Sequence, residues 1–112
     1  MKDDRLYLTH IAECIERIRE YTAVGKAEFI SSRLRQDAVA HNFEIIGEAS
    51  SRVSKATRDR STVPWGQMKG FRNFLIHQYS GVDEHVVWKI ASEDIPVLAE
   101  QIDELLKRFD HS

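Results

Sequence analysis

The chain has 112 residues, of which 42% are hydrophobic and 30% charged, and its net charge at pH 7 is −2. These values are typical of one soluble globular domain, residues 1–112, with a single core. The charge excludes a protein that holds nucleic acid by bulk positive charge, so any such site must be a local basic patch. The lone Cys14 excludes an intrachain disulfide. With no signal peptide or membrane-spanning apolar run recognised in the sequence, a cytoplasmic protein is predicted.

Two long amphipathic helices are predicted in the first half of the chain. The first covers about residues 4–24 and ends at Gly25, and its apolar residues are spaced three and four apart: Tyr7, Ile11, Cys14, Ile18 and Tyr21. The second covers about residues 33–53, with Ser31 or Ser32 as its cap. It carries two adjacent apolar seams: Val39, Phe43, Ile46 and Val53, and Leu34, Ala38, Ile45 and Ala49. Two seams predict a wide buried face and therefore a central position.

Two further helices are predicted in the second half, after a polar helix end and loop at residues 52–61. The third begins near Pro64, ends near Tyr79, and has an apolar face formed by Met68, Phe71 and Leu75. The fourth is capped by Asp83 and keeps one apolar seam through Pro96: Trp88, Ala91, Ile95, Leu98, Ile102, Leu105 and Phe109. The unbroken seam favours a kink at Pro96 over a break. No strand-like alternation occurs, so the fold class is an all-α bundle.

One stretch of the third helix places an arginine, a histidine and a tyrosine among large apolar residues, with the spacing Arg72-x4-His77-x-Tyr79. Arginine keeps its charge and binds phosphate through two parallel hydrogen bonds, and histidine exchanges a proton near neutral pH. The pair therefore suits chemistry on a phosphodiester. On a helix Arg72 and His77 lie about 140° apart, while Tyr79 returns to within about 20° of Arg72. Spacing alone also allows a structural Arg–His pair and an ordinary half-buried tyrosine at a helix end.

These residues, together with Asn73, resemble the HepT-like ribonucleases of the HEPN superfamily. The superfamily signature is Arg, a polar residue, three residues and His, which the HepT branch extends to Arg-x4-His-x-Tyr. The resemblance covers nearly the whole chain, because further segments match the family in order: Ile45-Ile46-Gly47-Glu48-Ala49, Val63-Pro64-Trp65, Val87-Trp88 and Asp94-Ile95-Pro96-Val97-Leu98.

The resemblance implies a HEPN-type bundle of four to five helices that pairs into a homodimer, with the two motifs facing each other across a cleft. It implies metal-independent RNA cleavage without a cofactor, with Arg72 and His77 catalytic and Asn73 supporting. It also implies the toxin of a type VII toxin–antitoxin pair, whose antitoxin is a small MntA-like nucleotidyltransferase that adenylylates Tyr79. Glu48 is either an exposed helix acid or a group that orients Arg72 from a neighbouring helix.

Other polar groups are expected to be structural or solvated. The remaining histidines lack metal-ligand spacing, so no metal site is predicted: His10, His41, His85 and His111. The basic cluster of Arg52, Lys55, Arg58 and Arg60 is expected to be a solvated helix end, with RNA contact as the alternative. The rival function is a non-catalytic helical interaction module that binds a nucleotidyltransferase. Intact Arg72 and His77 favour the enzyme.

Overall fold

The computed structural model describes residues 2–77 and 83–110, and within these the side chains of residues 3–71 and 83–109. The described residues form helices and no strand, in this order: α1 (Lys2–Thr22), α2 (Lys26–Ile30), α3 (Arg33–Arg52), α4 (Lys55–Asp59), α5 (Trp65–His77), α6 (Glu84–Lys89), a π-helical turn (Ile90–Asp94) and α7 (Ile95–Asp110). The predicted all-α bundle is confirmed, and the described ends of the long helices lie within about two residues of the predicted bounds. The predicted end of the third helix near Tyr79 lies outside the described residues.

Helix α3 lies at the centre of the bundle, because its most extensive contacts are with α1 on one side and α5 on the other. Ser32 is its cap, and the Ser32 hydroxyl accepts a hydrogen bond from the Arg35 amide at 3.2 Å. Its predicted first seam is buried along its whole length. In the second seam Leu34 was placed wrongly, since this side chain in the first turn is 80% exposed.

The short helix α2 was missed in the sequence because five residues are too few to show a helical period. Its position depends on the fold: the ring of Phe29 is fully buried and lies 5.4 Å from that of Trp88. The Gln36 side-chain amide, from α3, donates to the carbonyls of Phe29 and Ile30 at 3.0 and 2.9 Å, which satisfies the end of α2. Gly25 connects α1 to α2 with φ of +93°, a conformation that favours glycine.

Helix α4 corrects the prediction of a helix end followed by a loop over residues 52–61, since α3 ends at Arg52 but the segment after it contains a further short helix. Ser54 is its cap, and its hydroxyl accepts from the Thr57 amide at 3.4 Å. The carboxylate of Asp4, in the first turn of α1, accepts from the Ser54 amide at 2.9 Å, from the Ser54 hydroxyl at 2.6 Å and from the Thr57 hydroxyl. We call this arrangement of Asp4, Ser54 and Thr57 the Asp4 corner, and it ties the start of the chain to α4.

The last helix runs from α6 into α7 without a break, and Asp83 caps it as predicted by accepting from the His85 amide at 2.9 Å. The π-helical turn lies directly before Pro96, and in it the Ile95 amide donates to the Ile90 carbonyl. Proline lacks an amide hydrogen, and its ring crowds the carbonyl four residues earlier. A wider turn at this point accommodates both effects while keeping the helix continuous.

The apolar seam of the last helix belongs to the core, since Ala91, Ile95, Leu98, Ile102 and Leu105 are all buried. They join the buried seams of α1 and α3, including Cys14, which is 2% exposed. Burial raises the pKa of the Cys14 thiol, an effect that nearby Arg17 only partly offsets. Among the described residues, no helix is long and apolar enough to cross a membrane.

Candidate active site on helix α5

Helix α5 carries the Arg-x4-His motif, and the helix begins at Trp65, whose side chain is anchored in the fold. Trp65 is 9% exposed, and its indole nitrogen donates to the Ser61 hydroxyl at 2.9 Å. Pro64 precedes the first position, and its carbonyl accepts from the Met68 amide at 3.1 Å. Proline there needs no hydrogen-bond partner for its nitrogen, so the sequence favours a helix start at this point.

One side of α5 packs against α3. Met68 is fully buried, Phe71 is 8% exposed, and the ring of Phe71 lies 5.4 Å from that of Phe43 on α3. The predicted apolar face is therefore confirmed for Met68 and Phe71, whereas the side chain of Leu75 lies outside the described residues. This packing fixes the rotation of α5 about its own axis, and hence the direction of every later residue in the helix.

The side chains of Arg72, Asn73 and His77 lie outside the described residues, as does the whole of Tyr79. The backbone of α5 is nevertheless helical through His77. Because a helical residue advances about 100°, Arg72 stands about 40° from the buried Met68, while His77 stands about 180° from it. The arginine thus belongs to the side of α5 that packs, and the histidine to the opposite side.

Lys69 is a cation that the sequence reasoning did not single out. It is exposed and lies one turn before the motif. Its angular position falls between the two motif residues, about 60° from Arg72 and about 80° from His77. A second positive charge thus accompanies the arginine on this helix. The i, i+3 spacing of Lys69 and Arg72 was the signal in the sequence from which this neighbouring cation could have been predicted.

The outer side of α5 is open at two glycines. Among the described residues, and apart from the backbone of α5 itself and the adjacent residues, a Cβ atom added at Gly66 or at Gly70 would meet no atom within 4 Å. Both lie within about 40° of His77 around the helix axis, as does Asn73. Two glycines in a helix interior cost stability of up to about 1 kcal/mol each relative to alanine. The packing of the described residues does not account for this cost.

Glu48 lies on α3, and its carboxylate accepts from the guanidinium of Arg52 one turn later, at 3.1 Å. Hydrogen bonds from Arg52 to Glu48, and then to Tyr7 on α1, raise the pKa of Arg52 above its ordinary value. The structure therefore places Glu48 in a half-exposed ion pair within α3. A role in orienting Arg72 remains a prediction.

The family model described as "Ribonuclease HepT-like" matches residues 11–105 of this chain. The chain belongs to the HepT-like ribonuclease family. The match begins within α1, covers all of α3, α5 and the Arg-x4-His motif, and ends within α7.

Curated HepT-like relatives agree with this assignment. A Methanocaldococcus jannaschii protein, "Gamma-glutamylcyclotransferase and putative RNase MJ0434", is 39% identical over 97% of this chain, which spans half of that relative's length. "Putative RNase MJ1380" of the same organism is 36% identical over 91% of this chain and 95% of its own length. "Probable ribonuclease HepT" of Thermococcus cleftensis is 42% identical over 90% of this chain and 94% of its own. No solved structure gives a significant match.

The described part of this HepT-like chain contains no group of three or more His, Cys, Asp or Glu side chains that could hold a metal ion. Of the predicted site residues, the fold brings Arg72, Asn73 and His77 onto one helix and places Glu48 on its packing neighbour, α3. The cations of the basic cluster lie between these two helices in the chain, on and around α4.

Proposed function

We propose that this protein is a metal-independent endoribonuclease in which Arg72 and His77 are catalytic and Asn73 is supporting. The observation that carries the proposal is the register of α5, which is helical through the motif and is fixed by Met68 and Phe71. The helix carries an arginine, which is a permanent cation, and a histidine, the residue type most suited to proton transfer. Membership of the HepT-like family and the names of its relatives support RNA as the substrate.

RNA carries its own nucleophile in the 2′-hydroxyl. His77 accepts the proton of that hydroxyl, and the 2′-oxygen attacks phosphorus while the bond to the 5′-oxygen breaks. The leaving oxygen takes up a proton, and Arg72 neutralises the charge of the phosphorane. The products are a 2′,3′-cyclic phosphate and a 5′-hydroxyl. These steps use a base, an acid and a cation. One His77 supplies the base and Arg72 the cation, so the proton for the leaving oxygen must come from a second group.

Two copies of the chain complete this chemistry. One histidine cannot serve as base and acid at once, and within one α5 the positions of Arg72 and His77 point about 140° apart. In a homodimer with the motifs facing one cleft, the second copy contributes the other His77 and a second Arg72. The open glycines beside His77 leave room for such an approach.

The decisive assay incubates purified protein with RNA in EDTA, beside His77→Ala. We expect cleavage by the wild type, no cleavage by the variant, and a 2′,3′-cyclic phosphate at the product end. Activity that EDTA abolishes and magnesium restores would contradict the metal-independent mechanism. Equal activity of wild type and His77→Ala would remove His77 from the active site.

The dimer is tested by mixing subunits. His77→Ala and Arg72→Ala subunits are combined, and the mixed dimers should remain impaired because each site needs both histidines. Recovery of activity would instead indicate a site that takes Arg72 from one subunit and His77 from the other. A fully active monomer in sedimentation would end the dimer proposal.

The biological role in this proposal is the toxin of a type VII toxin–antitoxin pair. An MntA-like nucleotidyltransferase antitoxin transfers AMP to the hydroxyl of Tyr79, two residues beyond His77. The added phosphate competes for the guanidinium of Arg72, and its charge repels the RNA backbone. The modified protein therefore stays folded and dimeric but loses RNA binding.

Intact-mass analysis after incubation with the nucleotidyltransferase and ATP tests this regulation. The wild type should gain the mass of AMP, and Tyr79→Phe should not, while keeping part of its nuclease activity. A gain that persists in Tyr79→Phe would place the modification elsewhere. Toxicity that survives His77→Ala would favour the rival function, an interaction module without catalysis.

A further inference from the structure

The end of α4 holds positive charge that the described part of the chain neutralises only in part. Four cations and one acid lie within residues 52–60, although the whole chain has a net charge of −2. Arg52 pairs with Glu48, and Lys55 pairs with Asp59 at 2.7 Å. Neither Arg58 nor Arg60 has an ion-pair partner among the described residues. The Nε atom of Arg58 is buried and makes no hydrogen bond within the described part of the chain.

A third arginine reaches the same place from the other end of the sequence. Arg108, near the end of α7, donates through Nη1 to the backbone carbonyl of Arg60 at 3.0 Å. Its Nη2 lies 3.7 Å from Glu104, one turn earlier on α7. Two contacts therefore hold this guanidinium beside Arg60. We call Arg58, Arg60 and Arg108 the basic edge.

The basic edge is joined directly to the helix that carries the motif. The Ser61 hydroxyl donates to the Arg58 carbonyl at 3.3 Å and accepts from the indole of Trp65, the first residue of α5. Lys69 lies one turn beyond Trp65. Along the axis of α5, Trp65 is about 10 Å from Arg72 and about 18 Å from His77. A stacked strand advances about 3.4 Å per nucleotide, so this span corresponds to about three to five nucleotides.

We infer that the basic edge binds backbone phosphates of the RNA on one side of the cleaved bond, with Lys69 contacting the strand between the edge and the motif. The inference rests on the proposed function. Guanidinium groups bind phosphate oxygens in a planar, bidentate fashion. Because the chain as a whole is acidic, a strand is attracted to this patch rather than to the surface at large. The edge therefore sets the register of the strand without reading its bases.

Binding is measured first, in a His77→Ala background, by fluorescence anisotropy of a labelled twelve-nucleotide RNA over a series of salt concentrations. Replacing Arg58 and Arg60 by glutamine should weaken binding about tenfold at low salt and lower the salt slope by about 1.4, the value for two lost phosphate contacts on a single strand. The matched control is Arg33→Gln, an exposed arginine at the opposite end of α3 that pairs with Asp37 at 3.7 Å. The control should change neither quantity.

Cleavage of short and long substrates tests the position of the edge. With otherwise wild-type protein, Arg58→Gln/Arg60→Gln should raise KM for the twelve-nucleotide RNA and leave kcat and the cleavage of a dinucleotide unchanged, because a dinucleotide does not reach the edge. Circular dichroism checks that the variants are folded. Binding and KM equal to those of Arg33→Gln would overturn the inference, as would an equal loss on both substrates.

The two proposals can fail separately. Wild-type protein that cleaves neither substrate contradicts the proposed nuclease function. An active wild type whose RNA binding and KM do not change on Arg58→Gln/Arg60→Gln contradicts the inference alone. If the double variant binds RNA normally but loses its nucleotidyltransferase partner, the edge is a protein-binding surface and the inference is wrong.

Discussion

The Asp4 corner and the outer side of α5 differ in how their polar or small residues contact the rest of the fold. At the corner, a carboxylate that is 2% exposed accepts three hydrogen bonds, and its polar partners come from a segment fifty residues away. On α5, no described side chain packs against Gly66 or Gly70. The buried carboxylate of the corner is compensated by its three hydrogen bonds, whereas the two glycines lower helix propensity without a packing contact among the described residues.

This difference separates residues that hold the fold together from residues that are available for chemistry. Changes at the corner or in the packed seams are expected to alter the free energy of unfolding and to affect catalysis only through it. Side-chain removals on the outer side of α5 are expected to alter activity and leave stability nearly constant, whereas replacing a glycine there also changes helix propensity.

Removal of His77 should give the largest loss of activity without a loss of stability. We expect His77→Ala to lower the rate of RNA cleavage by about 10²–10⁴-fold, the usual contribution of a positioned proton donor or acceptor. The urea midpoint should stay within the error of the wild-type value, since His77 stands on the side of α5 opposite to Met68. A variant that loses activity and stability together would show that His77 is a packing residue.

Phe43→Ala, on α3, tests the side of α5 that packs against α3. Phe43 is 1% exposed and contacts Phe71, so its truncation should destabilise the protein by about 3–5 kcal/mol, measured by urea unfolding. At a temperature where the variant remains folded, its kcat should stay within a few-fold of that of the wild type. Leu34→Ala, at an exposed position of the same helix, is the control and should change stability by less than about 0.5 kcal/mol.

Asp4→Asn tests the corner and its pH dependence. Burial tends to raise the pKa of Asp4, but the hydrogen bonds from Ser54 and Thr57 outweigh it and lower the pKa below its ordinary value of about 3.9. A lowered native pKa stabilises the folded state fully above the unfolded value, and this contribution is lost as the pH falls through the native pKa. We expect a cost of about 1–3 kcal/mol at pH 7 that shrinks below about pH 4.

The measurement compares urea unfolding of wild type and Asp4→Asn between pH 7 and pH 3. RNA cleavage per folded molecule should be the same for both proteins at pH 7. A stability difference that stays constant over this pH range would mean that the carboxylate charge contributes nothing at the corner.

Gly70→Ala should give the smallest effect, and Gly25→Ala is the matched substitution for which the opposite change in stability is expected. The added methyl group meets no atom within 4 Å, so helix propensity should raise stability by up to about 1 kcal/mol. Gly25→Ala also meets no atom, but its φ of +93° disfavours any side chain, and it should lower stability by about 1 kcal/mol. If an RNA strand or a second subunit approaches α5 closely, Gly70→Ala should lose activity despite its gain in stability. Thermal unfolding measures the stability, and the RNA assay measures the activity.

Periodicity was sufficient for the long helices because their apolar residues recur every three or four positions over fifteen residues or more. Caps defined their starts where a short polar side chain preceded them, as Ser32 and Asp83 do. Pro96 was rightly placed inside the last helix on the unbroken seam. The π-helical turn before it was not predicted, because a proline within a helix can be accommodated by a kink or by a wider turn and the apolar seam does not distinguish the two.

The sequence by itself determined the all-α class, the apolar seams and the order of residues in the motif. It also determined the family, through segments that match in order. Each of these depends on residues close together in the chain, or on a pattern that survives without coordinates.

Tertiary structure decided which distant residues meet. The helices α2 and α4 exist because Trp88 and Gln36 hold one and Asp4 holds the other, across separations that no local pattern encodes. Arg108 reaches Arg60 for the same reason, forty-eight positions away. The direction of Arg72 and His77 likewise depends on the packing of Phe71 against Phe43. Helical periodicity gives the angle between two residues, but only the contact of one helix with another decides which of them turns toward the core.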